Sequence, residues 1–275
     1  MSEMSAQSLN GVAETLLITL YIRAMESQRL DALLKDDKAV ALVTQMNYDF
    51  SRIKQIKMDE DDKVAIILRN REFDRYARDF LSSNPSAVIV HIGCGLDSRF
   101  ERVDDGWVEW YDLDLPDVIE LRRKFIGEEG GRYHFLACSV FDEAWLTTLR
   151  ACQPTPILFL AEGVFMYFKE PQVKHLLLTL RDQFPGAELV FDAFSPFIVV
   201  ANNLRLSLTK FGARYSWGLK QGKDIESWGD GIDLIDEWRP FDRPEPRLAH
   251  LQWIRHIPLF ANVMRIFHYR LGEIS

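Results

Sequence analysis

The sequence predicts an α/β protein whose core is a mostly parallel sheet with helices on both faces. Three observations carry that prediction. An apolar run, Ala87-Val-Ile-Val-His-Ile92, stops abruptly at two glycines two positions apart, Gly93 and Gly95. β-Branched residues without polar alternation mark a strand buried on both sides, as parallel strands flanked by helices are. A second strand-like segment, Val108-Glu-Trp-Tyr-Asp-Leu-Asp-Leu-Pro116, follows and brings acids close to the spacing of about 20 residues at which a carboxylate reaches ribose hydroxyls in nucleotide-binding α/β folds. Strand-like and helix-like segments then keep alternating as far as residue 194, the rhythm of an α/β sheet.

In chain order, Val12, Leu16, Leu20 and Ala24 fall on one helical stripe beside Leu17 and Tyr21, which predicts a helix over residues 11–30. A second helix is expected from Asp31 to Leu42, with Asp31, Asp36 and Asp37 as cap and solvated face. A third, rich in arginine, is expected between Asp59 and Leu81. Its Arg69 and Arg71 either face solvent or hold a carboxylate or phosphate near the glycine turn. Residues 11–82 thus form a helical segment expected to cover the site.

Gly93 and Gly95 permit a sharp turn and a close approach of backbone to ligand, and Asp97 and Ser98 stand where the next helix opens. Ser98 occupies the third position of GxGxxG, so a dinucleotide fingerprint is not satisfied and an ordinary tight turn is the plain alternative. Asp112 and Asp114 are the acids that either bind vicinal hydroxyls or cap the strand end. Pro116 is expected to end that strand and Asp117 to cap a helix over Val118–Phe125. A strand at 133–140, a helix at 145–151 and a fourth strand at 156–168 follow. Glu162 interrupts this strand's apolar run, either as a satisfied structural carboxylate or facing a cationic ligand. A helix at 169–183 and a fifth strand at 187–194 precede an irregular excursion, 195–250, expected to form a cap whose tryptophans pack. Residues 261–270 read as the last strand, closed by Gly272.

A net charge of −8 from 33 basic and 41 acidic residues, with no basic stripe, argues against nucleic acid as a partner. Cys94, Cys138 and Cys152 are odd in number and scattered, as reduced cytoplasmic thiols are. The start carries no basic targeting region, and the apolar stretch 16–22 is too short to span a bilayer, so no membrane partner is expected. The six histidines show no metal-ligand spacing, and His91 inside the first strand reads as a core histidine. No G-x-S-x-G elbow is present.

Three motifs in order, Gly93-Cys-Gly-Leu-Asp-Ser-Arg99, Asp112-Leu-Asp-Leu-Pro116 and Leu160-Ala-Glu-Gly-Val-Phe-Met-Tyr167, resemble the leucine carboxyl methyltransferase family, which includes the tetracenomycin-type polyketide O-methyltransferases. The resemblance runs from about Gly11 to Gly272. It implies a class I methyltransferase Rossmann-like fold of seven strands, the last antiparallel, with S-adenosylmethionine as cofactor. Carried over by position, it implies that Arg69 holds the methionine carboxylate, that Gly93, with Gly95 beside it, contacts the cofactor at the turn, that Asp114 binds the ribose and that Glu162 also contacts the cofactor. Ser139-Val140 replaces the family's frequent Asp-Leu, so the adenine edge falls to the Ser139 hydroxyl and backbone groups.

The chain is therefore expected to be an O-methyltransferase acting on a carboxylate or hydroxyl of a small molecule or a peptide C-terminus. A carboxylate is already ionised at neutral pH, since it titrates near about 4, and needs no general base; no catalytic residue is assigned beyond groups that align donor and acceptor. The alternatives are a nicotinamide-dependent oxidoreductase, disfavoured by Ser98 and the lack of a Tyr-x-x-x-Lys pair, and a non-catalytic cofactor-binding protein. Oligomeric state is left open.

Overall fold

The computed structural model describes residues 12–54, 58–127, 129–152, 155–206, 214–257 and 262–273; Gly11 and Ala261, at the ends of two expected segments, lie outside them. Val88–Ile92 forms the central strand β1, fully buried as its unbroken apolar run requires. It pairs in parallel with β2 (Glu109–Asp114) and β4 (Ile157–Ala161), which in turn pair in parallel with β3 (Tyr133–Ala137) and β5 (Ala187–Phe194). The last strand, β7 (Met264–Leu271), runs antiparallel between β5 and β6 (Ile232–Trp238), giving the order β3-β2-β1-β4-β5-β7-β6. This is the seven-stranded sheet with an antiparallel last strand that the resemblance implied.

Alternation along the strands splits the core into two layers. Val88, Val90, Ile92, Phe159, Phe191 and Tyr269 face α7 (Ala144–Arg150) and α8 (Glu170–Gln183), where Trp145, Leu176 and Leu180 are buried. Ile89, Trp110, Leu158, Val190 and Ile266 face Phe73, Tyr76 and Phe80 of α4 (Glu60–Ser83). The remaining helices are α1 (Val12–Ser27), α2 (Asp37–Gln45), the single turn α3 (Ser51–Lys54), α5 (Arg99–Val103), α6 (Pro116–Phe125) and α9 (Pro196–Leu206). Among the described residues no helix is long and apolar enough to cross a membrane.

Several expectations change in the structure. The second helix starts at Asp37 rather than Asp31: Asp36 is its N-cap, accepting from the Ala39 N–H at 2.9 Å, while Asp31 pairs with Arg29 on the surface. Asp36 is buried, not solvated, because Arg23 and Arg102 both bind it. Pro116 is the first residue of α6 rather than the end of a strand, and Leu115 rather than Asp117 is the cap position. Ser98 makes no capping bond; its hydroxyl donates to Asp36 at 2.6 Å. β4 ends at Ala161, and Phe165–Tyr167 is a 3₁₀ turn. The excursion 195–250 is not all cap, since it contains β6. That strand is rich in acids (Asp233, Asp236, Glu237) because it lies at the sheet edge, where one side meets water.

Candidate active site

The C-terminal ends of β1, β2 and β4, the usual ligand end of a doubly wound sheet, open into a cavity of about 960 Å³. After β1 the chain turns at Gly93 (φ +64°) and Gly95 (φ +50°), both in the left-handed region that favours glycine. A Cβ at Gly93 would lie 2.4 Å from a Val164 methyl, so this turn and the loop after β4 touch with no room for a side chain. The Gly93 N–H donates to Leu113 O at 2.7 Å, which binds the turn to β2.

Register then separates the two acids of β2. Asp112 points into the core, where it accepts from Trp110 Nε1 (2.8 Å) and the Tyr133 hydroxyl (2.5 Å) and pairs with Arg122. Burial opposes its ionisation, yet Arg122 and His91 outweigh it and hold the carboxyl below its usual range. Asp114, two residues on at the strand end, lines the cavity. Its Oδ2 accepts from the Gly95 N–H at 2.8 Å and its Oδ1 from the Leu115 N–H at 2.7 Å. These bonds fix the carboxylate at the glycine turn, while burial pushes its carboxyl upward.

α4 carries Arg69 into the same cavity; Arg71 is exposed on another face of that helix. Arg69 donates through Nε to Glu162 Oε1 (2.9 Å) and through Nη1 to Asp192 Oδ2 (3.0 Å). Its Nη2 lies beside Gly163, 3.7 Å from where a Cβ would stand. Glu162 also accepts from Asn70 (3.0 Å) and, through Oε2, from Arg99 Nη2 (2.5 Å). Its charge is therefore balanced by two arginines of the protein, so its place in an apolar run does not require a cationic ligand.

Asp192, which the sequence reading passed over inside the fifth strand, is fully buried and accepts from the Gly163 N–H at 2.6 Å. It ties β5 to both Arg69 and the loop after β4. Burial outweighs Arg69 and pushes its carboxyl up. Behind the glycine turn, Asp74 accepts from Arg99 Nε and Arg102 Nε, both at 2.7 Å, and Asp97 pairs with Arg99 and Arg102. These arginines overcome the burial that opposes ionisation, holding both carboxyls below their ordinary range. These residues are far apart in sequence, on α4, on α5 and the turn before it, and on β5, so no local motif marks them. His91 is buried between Asp112 (3.4 Å) and Arg99 (3.2 Å), as a core histidine.

Ser139 and Val140 follow β3 and also line the cavity. The Ser139 Oγ accepts from the Phe141 N–H at 3.2 Å. Beyond the glycine turn the walls become apolar, with Ile198 of α9, Phe241, and Leu248, Leu251 and Ile254 of the 3₁₀ segment Pro246–His256.

The donor set suits a nucleoside carrying an amino-acid tail. Fixed carboxylate oxygens stand beside a turn that excludes a Cβ, as vicinal hydroxyls require, and an arginine is available for an α-carboxylate.

Comparison with known proteins agrees. The sequence profile described as leucine carboxyl methyltransferase matches residues 16–181. The tetracenomycin polyketide synthesis O-methyltransferase TcmP of Streptomyces glaucescens is 36% identical over 237 residues, 86% of each chain. The S-adenosyl-L-methionine-dependent methyltransferase dpfgK of Gibberella zeae is 30% identical over 242 residues, 82% of this chain and 81% of its own. A candidate methyltransferase from Thermobifida fusca YX shares the fold, with a TM-score of 0.60 at 15% identity over 96% of this chain and 95% of its own. The chain belongs to the leucine carboxyl methyltransferase family, whose members use S-adenosylmethionine.

Proposed function

We propose that this S-adenosylmethionine-dependent methyltransferase methylates a carboxylate, or a hydroxyl, of a small and largely apolar acceptor. The observation that carries this reading is that one continuous cavity holds both the glycine turn with Asp114 and the apolar chamber under residues 246–256. When bound, the cofactor supplies an electrophilic methyl group on a sulfonium. The residues then have to hold, align and exclude water, which is where catalysis of a displacement without protein nucleophile resides. Asp114 would take the ribose hydroxyls, Arg69 the methionine carboxylate, and Gly93 and Gly95 the close backbone approach. Ser139 and Val140 would border the adenine, and Glu162, which lines the cavity, would contact the cofactor while its ion pairs to Arg69 and Arg99 hold it in place. The helices of residues 11–82 and the parts of 195–250 outside β6 would form the acceptor side.

A polyketide-like acceptor is supported by the similarity to TcmP, an O-methyltransferase of tetracenomycin polyketide synthesis. The apolar walls at Ile198, Phe241, Leu248, Leu251 and Ile254 suit such an acceptor.

Calorimetric titration with S-adenosylhomocysteine tests the reading. Asp114→Ala removes a charged acceptor worth about 1.5–3 kcal/mol, so affinity should fall roughly 10- to 100-fold while NADH binds neither protein. Unchanged affinity in the variant, or binding of NADH by the wild type, would overturn the assignment.

A further inference from the structure

A second cleft, of about 570 Å³, lies between α4, α5 and the segment that enters α2, and no residue lines both it and the cofactor cavity. Lys35 and Lys38 reach it from the entry to α2, Arg71 and Arg78 from α4, and Arg102 from α5. Arg71, which the cofactor site leaves unused, thus has a place of its own. Seven residues, two helical turns or about 10 Å, separate it from Arg78, so the two guanidiniums share one face of the helix.

The charges around this cleft do not cancel. Its carboxylates are Asp36, Asp37 and Glu101. Asp36 is buried and held by Arg23 and Arg102, and Glu101 lies 3.4 Å from Lys38. That leaves Asp37 to face Lys35, Arg71 and Arg78. Lys35 Nζ donates to two carbonyls, Ser27 O at 2.7 Å and Arg29 O at 3.2 Å, which leave its charge uncompensated. Arg78 Nη2 donates to Arg102 O at 2.8 Å and stands 3.9 Å from Asp74, a carboxylate already taken by Arg99 and Arg102. Arg71 has no hydrogen-bond or ion-pair partner among the described residues. Cations gathered around one cleft repel each other, and an anion between them removes that repulsion.

The size of the excess, three cations against one carboxylate, selects the kind of anion. A phosphomonoester carries about 1.5 to 2 negative charges at neutral pH and three strong acceptor oxygens, and guanidinium forks bind such oxygens in pairs. A carboxylate would meet only half of the charge. The cleft is also too large for phosphate alone, and Leu33 and Leu34 give it an apolar wall against which an organic group packs.

We propose that this cleft is a second ligand site, which takes an organic phosphomonoester with its phosphate among Lys35, Arg71 and Arg78 and its ester group against Leu33.

Calorimetric titration with phenyl phosphate tests the site, on protein saturated with S-adenosylhomocysteine so that Arg69 is already engaged. The wild type should bind phenyl phosphate with sub-millimolar affinity and inorganic phosphate more weakly. The double variant Arg71→Gln/Arg78→Gln should weaken phenyl phosphate by roughly tenfold or more. Arg71→Gln alone, which removes no bond of the fold, should weaken it in the same sense and decides the matter if the double variant does not fold. Arg123→Gln, which removes a surface arginine paired with Glu129, should leave it unchanged. S-adenosylhomocysteine affinity is expected to stay at the wild-type level in the folded variants. Failure of the wild type to bind phenyl phosphate, or an equal loss in Arg123→Gln, overturns the site. Displacement of S-adenosylhomocysteine by phenyl phosphate would move the anion to the cofactor cavity and overturn it as well, and equal affinity for the two phosphates would overturn the organic ester.

Discussion

Asp74→Ala is expected to lower the unfolding free energy by about 3–5 kcal/mol, the usual penalty when one partner of a buried pair is removed. Asp74 is wholly buried and receives Arg99, itself wholly buried, and Arg102 on its two oxygens. Without it, two guanidiniums are left with a reduced set of carboxylates behind the glycine turn, and Arg99 has no access to water. At roughly 2–4 °C per kcal/mol for a chain of this class, the melting temperature should fall on the order of 10 °C. Asp79→Ala, on the same helix but pairing with Arg75 at the surface, should change stability by less than about 1 kcal/mol. Calorimetric melting of both variants decides the matter, and equal losses would show that the buried network is not what holds α5 to α4.

The pH dependence of that difference has a definite sign. The Asp74 carboxyl lies below its usual range in the folded protein, so its stabilisation is complete above the unfolded value of about 3.9 and is lost as pH falls through the depressed folded value. The gap between wild type and Asp74→Ala should therefore stay level from pH 8 to pH 5 and close only below about pH 4.

The second large effect is expected from Arg69→Ala. The substitution removes the cation that faces both Glu162 and the wholly buried Asp192, and a loss of about 3–5 kcal/mol follows on the same reasoning. Here the pH trend is reversed. Burial already raises the Asp192 carboxyl with Arg69 present, and without the guanidinium it rises further. A group whose folded value is raised stabilises most at low pH and loses that contribution as pH rises through the folded value. The variant's deficit should thus shrink as pH is lowered from 8 towards 5. Melting curves across that range that show a constant or growing deficit would remove Asp192 from the account. S-adenosylhomocysteine affinity should also fall, since the same guanidinium is the proposed partner of the methionine carboxylate.

The parts of this architecture that were legible in the sequence are those written in contiguous residues. The run ending at Ile92 could only be a strand buried on both sides, and the glycines after it could only be a turn, so β1 and its turn came through directly. The spacing from that turn to Asp114 likewise survived folding, because one loop and one short helix separate them. β6 did not come through. Its acids at 233, 236 and 237 follow from lying at the sheet edge, and the chain alone does not say which segment lies there. The second helix was misplaced because Asp36 looks like a surface acid until Arg23 and Arg102, 13 and 66 residues away, close over it. Asp192 was missed for a similar reason: within Leu189-Val-Phe-Asp-Ala193 nothing signals that Arg69, 123 residues earlier, is its partner. Glu162 was noticed as an anomaly, but what balances it, two arginines from α4 and α5, is a property of packing.

The position of β7 has a consequence for how the molecule is made. Among the described residues β6 pairs with β7 alone, and β7 also covers the free side of β5. Translation proceeds from the N-terminus, so β6 leaves the ribosome before β7 exists to pair with it, and β5 is exposed as a sheet edge during the same interval. The nascent chain can assemble β1 to β5 early, including the Asp114 turn. It must then wait for residues 264–271 before the last two strands close together. Stalling or truncation just short of that segment would yield a particle with an intact cofactor half and an adhesive flank, a species for which chaperones rather than proteolysis of a finished fold would set the outcome.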